Sequence, residues 1–154
     1  MKLSFIIPVY KTEHILKRVC HALAEQSLKD FEAIFVLDGP LPLAREHINT
    51  EFHGHSVKPK IIEIEHSGAC RARNEGAKHA TGEYWVFWDS DCIIEPGTAQ
   101  MWVEQLDKKQ EIDFIYSGYR FRDSVRAFRS VAPSGEQLHF CLLPVPVKAI
   151  PRMG

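Results

Sequence analysis

Two apolar runs bracket a segment of helical periodicity at the start of the chain, and this pattern restricts the fold more than any other. Leu3 to Val9 and Phe31 to Leu37 are short and rich in aromatic and β-branched residues, as buried strands are. Between them Ile15, Leu16, Val19, Cys20, Ala22 and Leu23 share one broad face at helical spacing, with Thr12 placed to cap that helix and Gln26-Ser27 to end it. Strand, helix and strand in so short a span make a βαβ unit, which requires parallel strands and a right-handed crossover. Parallel sheets bind ligands outside the carboxyl ends of their strands, so the residues at those ends become the candidates for function.

The first such end is Pro8-Val9-Tyr10, where proline, lacking an N–H, is expected to stop regular pairing. The second is Asp38-Gly39, readable as a ligand contact or as turn chemistry. Leu43 to Ile48 suggests a short helix and Lys60 to Ile64 a third strand. His53 and His55 lie in the intervening loop, without the third ligand that a metal site would need. Gly68 to Ala80 reads as a helix whose small residues (Ala69, Ala72, Gly76, Ala77, Ala80) allow close approach to the sheet. Arg71 and Arg73 near its amino end suit phosphate oxygens, although surface arginines are commonly just solvated.

Tyr84-Trp85-Val86-Phe87-Trp88-Asp89-Ser90-Asp91 is expected to be a strand buried on both faces that delivers two carboxylates to the same edge. Residues i and i+2 of a strand point the same way, so Asp89 and Asp91 converge if extended geometry persists. Adjacent like charges need a cation or a shared proton between them, and Mg²⁺ or Mn²⁺ takes carboxylate and phosphate oxygens together. The alternative is a solvated turn after a core strand. Thr98 to Lys109 is expected to be a helix with Met101, Trp102 and Leu106 inward, and Asp113 to Ser117 a further strand. With strand order 3-2-1-4 the order reverses between the first and fourth strands, which opens a crevice between Pro8-Val9-Tyr10 and Asp89-Ser90-Asp91.

Composition removes several other classes. The 19 basic and 20 acidic residues create no global field for nucleic acid. Cys20, Cys70, Cys92 and Cys141 are scattered, which argues against a zinc ribbon or a disulfide scaffold and for reduced thiols. No apolar run approaches the length of a membrane span, and no G-x-G-x-x-G follows the first strand, nor does a P-loop occur. The expected location is cytoplasmic, with the inner face of a membrane left open.

Phe5-Ile6-Ile7-Pro8-Val9-Tyr10, Val36-Leu37-Asp38-Gly39, Gly68 to Gly76 (with Arg73-Asn74) and Gly82 to Asp91 resemble, in order and spacing, the motifs of family 2 glycosyltransferases. The resemblance covers roughly residues 3 to 118. It implies an α/β fold of the GT-A type, a Rossmann-like, mostly parallel sheet with helices on both faces. It also implies metal-dependent transfer of a sugar from a nucleotide sugar, often UDP-linked, with inversion, to an acceptor that is a saccharide, lipid or protein. By that resemblance Pro8, Val9 and Tyr10 line the base and ribose, and Asp38 contacts the base. Arg73 lies near the diphosphate. Asp89, Ser90 and Asp91 form the DXD-type motif for metal and ribose, with Asp89 and Ser90 on the nucleotide, Asp91 the firmer ligand for Mg²⁺ or Mn²⁺ and Asp89 the second. Leu37 stands where the family commonly has an acid.

Residues 1–118 are thus expected to be the nucleotide-sugar-binding core, and 119–154 an Arg- and Pro-rich extension that begins an incomplete acceptor region. The family's general base lies in a downstream acidic motif. Asp123 and Glu136, the acids of the extension, do not match it, so the catalytic base is unknown and a truncated form lacking the acceptor half is expected. The other reading is a non-catalytic nucleotide-sugar-binding module, or a subunit completed by a protein partner or by self-association through residues 138–151. A sugar nucleotidyltransferase shares such a sheet but needs a Gly-rich loop where Tyr10-Lys11-Thr12-Glu13 stands.

Overall fold

The computed structural model describes residues 1–108 and the strand segments 119–121, 129–131 and 146–148. In chain order these form β1 (Leu3–Val9), α1 (Glu13–Ala24), β2 (Phe31–Asp38), α2 (Pro42–Glu51), β3 (Lys60–Ile64), α3 (Ala69–Ala77), β4 (Tyr84–Phe87) and α4 (Thr98–Lys108). They are followed by β5 (Tyr119–Phe121), β6 (Arg129–Val131) and β7 (Pro146–Lys148). The main sheet has the order β3-β2-β1-β4-β7, with β1 parallel to both β2 and β4, and β2 parallel to β3. The expected 3-2-1-4 order is therefore present, and β7 adds an antiparallel edge strand beside β4. Pro146 to Lys148, within the stretch expected to dock a partner, pairs inside the chain; the rest of that stretch and the strand expected at 113–117 lie outside the described residues.

The alternation of strand side chains sorts the core onto two faces. Leu3, Phe5, Ile7 and Val9 of β1 and Phe31, Ala33, Phe35 and Leu37 of β2 point to one side. There they pack against Leu16, Val19, Cys20 and Leu23 of α1, Ala44 and Ile48 of α2, and Trp102 and Leu106 of α4. The opposite face is thinner, with Ile34 and Val36 against Ala72 of α3. Gly76 makes this approach possible: a Cβ there would lie 2.6 Å from Ile6 Cγ2 and 3.0 Å from Val36 Cγ2. Helices do cover both faces, but Trp85 and Phe87 are only half-buried, so β4 is not a doubly buried strand. Met101 is 50% exposed because the buried stripe of α4 is Ala99, Trp102, Val103 and Leu106, which leaves residue 101 to the side.

Pro8 lies inside β1 rather than ending it. Trp88 N–H donates to Ile6 O (3.0 Å), and alternation turns residue 8 to that same side, past the end of the β4 ladder. The missing N–H therefore costs no bond, and β1 continues beside β2 to Val9. Among the described residues no helix is long and apolar enough to cross a membrane.

Candidate functional site at the carboxyl edge of the sheet

Past Ile6 and Phe87 the first and fourth strands part, and the loops leaving them form one edge. Lys11 occupies the left-handed region (φ 55°), an uncommon conformation for a non-glycine residue, and turns the chain sharply between Tyr10 and α1. Thr12 does not cap α1 through its side chain. Its Oγ1 instead lies 2.8 Å from Ser90 Oγ and joins the loop after β1 to the turn after β4. The crevice expected from strand order is thus bridged by two hydroxyls. Sequence reasoning missed Thr12 here because a threonine just before a helix reads equally well as a cap. At the far end of α1, Gln26 is buried, donates to Glu95 O and accepts from Ala99 N–H, which ties the segment following Asp91 to the same helix.

Of the three residues on the first loop, only Tyr10 offers its side chain to solvent (40% exposed). Val9 is in the core and Pro8 is buried, so neither side chain is open at this edge. The Tyr10 ring stacks on His66, with centroids 4.2 Å apart and planes at 14°, and Lys11 Nζ lies 4.9 Å from the Tyr10 centroid.

Asp38 ends β2 and is almost fully buried. Its Oδ1 accepts from Ser67 N–H (2.7 Å), and its Oδ2 accepts from Gly68 N–H (2.9 Å) and from His66 Nδ1 (2.9 Å). A buried carboxylate requires such partners, and here the connection entering α3 supplies all of them. Gly68, at φ 90°, allows the chain to fold around the carboxylate before α3 begins. Asp38 as placed is a clamp on the 66–68 loop with both oxygens engaged, rather than an open acceptor.

Arg73, one turn into α3, reaches across to Asp89, with Nη 2.5 Å from Oδ1. Both side chains are partly exposed (31% and 25%). Extended geometry stops before Asp91: β4 ends at Phe87 and Cys92 N–H closes a turn on Asp89 O (3.1 Å). The carboxylates therefore diverge in role, Asp89 to Arg73 and Asp91 to solvent. Ser90 is buried on Thr12, and Asp91 and Arg71 make no hydrogen bond or ion pair among the described residues. Among those residues no group of three or more His, Cys, Asp or Glu is arranged to hold a metal. What the edge offers is one unpaired carboxylate, a second shared with a guanidinium, and a stacked aromatic pair. That set suits a hard divalent cation whose remaining ligands are phosphate and water oxygens, since Mg²⁺ is commonly held by only one or two carboxylates.

Comparison with known proteins bears on the family and the fold. Residues 4–143 match the profile described as Glycosyl transferase family 2. Glycosyltransferase GlyA of Streptococcus pneumoniae is 36% identical over 108 residues, covering 70% of this chain and 15% of GlyA. The uncharacterized glycosyltransferase EpsJ of Bacillus subtilis is 29% identical over 123 residues, covering 80% of this chain and 35% of EpsJ. The structure of S. aureus TarS 1-349 in complex with UDP-GlcNAc superposes with a TM-score of 0.67 at 27% identity, covering 74% of this chain and 33% of that one. The chain spans about a third or less of the length of these relatives. The match over 4–143, carried on a sheet like that of the GT-A enzymes, makes this chain a member of glycosyl transferase family 2.

Proposed function

We propose that the chain is the donor-binding part of a metal-dependent glycosyltransferase that takes a nucleotide sugar, UDP-linked first, and transfers the sugar with inversion. The observation that carries this reading is the Thr12–Ser90 hydrogen bond, which sets the loop after β1 beside the Asp89–Asp91 turn with Arg73 adjoining. The solved complexes of TarS with UDP and with UDP-GlcNAc support a uridine donor.

In this reading Tyr10 and the backbone of Pro8 and Val9 flank the nucleoside. Arg73 exchanges part of its pairing with Asp89 for diphosphate oxygens, in charge-assisted bonds worth about 1.5–3 kcal/mol each. Asp89 keeps the guanidinium in place from behind, and Asp91, with Asp89, would hold Mg²⁺ or Mn²⁺. A cation bound there supplies positive charge against the charge that grows on the departing diphosphate. The anomeric carbon gains oxocarbenium-like character as that bond breaks, as in glycoside hydrolysis, so stabilising the leaving group lowers the barrier. Ser90 and Thr12 fix the spacing of the two loops and leave the metal to the acids.

Release of UDP from a panel of UDP-sugars, with saccharide, lipid and peptide acceptors in Mn²⁺, tests the reading. Acceptor-dependent release supports transfer; metal-dependent UDP binding without release would point instead to a nucleotide-sugar-binding module.

A further inference from the structure

We infer that Trp88 is a positioning residue for the turn that carries Asp91, its core-anchored indole N–H holding the 89–92 backbone in the shape a divalent cation meets; this rests on the metal-dependent reading above. Trp88 is the first residue after β4, and its backbone N–H still bonds to Ile6 O of β1 (3.0 Å). The ring turns inward and is buried. It meets Phe5 edge-on, with centroids 6.5 Å apart and planes at 76°, and Trp102 of α4 at 6.1 Å. From that seat Nε1–H donates to Cys92 O (2.7 Å). A buried indole N–H requires an acceptor, and a leucine or phenylalanine here would fill core space without tying down the backbone beyond it.

The indole bond completes the closure of the turn. Cys92 N–H donates to Asp89 O (3.1 Å), so both backbone polar groups of Cys92 are bound within the segment 88–92. Ser90 Oγ is tied to Thr12, and the Asp89 side chain to Arg73. Asp91 is exposed, with no hydrogen bond or ion pair among the described residues. The turn is thus fixed on every side except the one that presents this carboxylate. A ligand on a turn that samples several shapes binds with an affinity reduced by the fraction of time spent in the competent one. Holding the turn therefore raises cation affinity without touching the cation. Trp88, buried behind the backbone, acts only in this indirect way.

The test compares wild type with Trp88→benzothienylalanine, introduced at that codon alone, which keeps the ring shape but puts sulfur in place of the N–H. Trp88→Phe serves as the second variant. UDP is titrated calorimetrically into the full protein in Mn²⁺ and in EDTA, and amide hydrogen exchange is followed at Cys92. Loss of the donor is expected to remove about threefold of the Mn²⁺-dependent gain in UDP affinity and to speed Cys92 N–H exchange about fivefold, both within the worth of one hydrogen bond. UDP affinity in EDTA is expected to stay unchanged. Trp88→Phe is expected to show the same losses and to be less stable as well, because it leaves space against Phe5 and Trp102. A full Mn²⁺ gain in the sulfur variant overturns the inference, whatever Trp88→Phe does, and leaves Trp88 a packing residue. A wild type whose UDP affinity ignores Mn²⁺ overturns the metal reading itself, and the inference with it.

Discussion

The two ends of β2 carry the same kind of device for different ends. Glu32 and Asp38 stand an even number of residues apart, so both project to the α3 side of the sheet. Glu32 Oε1 accepts from Ser4 Oγ (2.6 Å) and from Thr81 N–H and Oγ1 (2.6 and 2.8 Å), just after α3. Asp38 accepts from Ser67 and Gly68, just before α3. One strand therefore clamps its covering helix at both ends with buried or half-buried acids. At the amino end the clamp closes on Gly82, whose N–H donates to Ser4 Oγ and where a Cβ would lie within 2.7 Å of Ser4 and Leu3 backbone. At the carboxyl end the clamp includes a half-exposed histidine and opens onto Arg73, Asp89 and Asp91. Satisfied polar groups make structure; the same groups with a partner left over make a site.

Gly82→Ala tests the closed end most severely. Backbone cannot move aside as a side-chain tip can, so we expect a loss of about 3 kcal/mol in denaturant unfolding. Asp38→Asn comes next. An amide has one acceptor oxygen for three donors, so about 2 kcal/mol of stability should go, along with most of the UDP affinity. Glu32→Gln, its counterpart, should cost about 1 kcal/mol because the site is part-exposed, and should leave UDP affinity unchanged. Equal effects of these two variants on UDP binding would erase the distinction between the ends.

The pH dependence sharpens the same contrast. Burial pushes the Glu32 carboxyl up most strongly, but hydrogen bonds from Ser4 and Thr81 and the charge of Lys60 outweigh it and leave it below the ordinary value of 4.5. A lowered folded-state value means that the stabilisation is complete above about 4.5 and is lost as the pH falls through the lower folded value. The stability gap between wild type and Glu32→Gln should accordingly stay constant from neutral pH down to that point and narrow below it, as followed by urea unfolding across pH. The smallest effect concerns Cys20. Burial, with Glu51 nearby, raises its thiol to about 12, so in the native state only the exposed Cys70 and part-exposed Cys92 of the described thiols should react with a maleimide.

Much of this architecture was legible in the sequence, because period and order carry it. The βαβ opening, β3 at Lys60 to Ile64 and the 3-2-1-4 strand order all follow from apolar spacing and parallel connection. What escaped were facts of direction. Asp89 and Asp91 read as lying on a continuing strand, but β4 ends at Phe87 and a turn closes on Asp89, with Asp89 paired to Arg73 and Asp91 exposed. Thr12 read as a cap because its tie to Ser90 spans 78 positions and has no local signature. His66 carried no motif and was not singled out; its place at the exit of β3, two residues before Gly68, was the one local signal that could have found it. Pro8 read as a strand end because the early stop of β4 beside it is not written locally.

The proposed metal site depends most on Asp91, whose carboxylate makes no hydrogen bond or ion pair among the described residues. Calorimetric titration of UDP into wild type and Asp91→Asn, with and without Mn²⁺, tests it most directly. Stability should change by less than about 0.5 kcal/mol, since the side chain is exposed. UDP affinity should rise with Mn²⁺ in the wild type and lose at least about tenfold of that gain in the variant. Equal Mn²⁺-dependent affinity in both proteins would contradict the assignment of the metal to this edge.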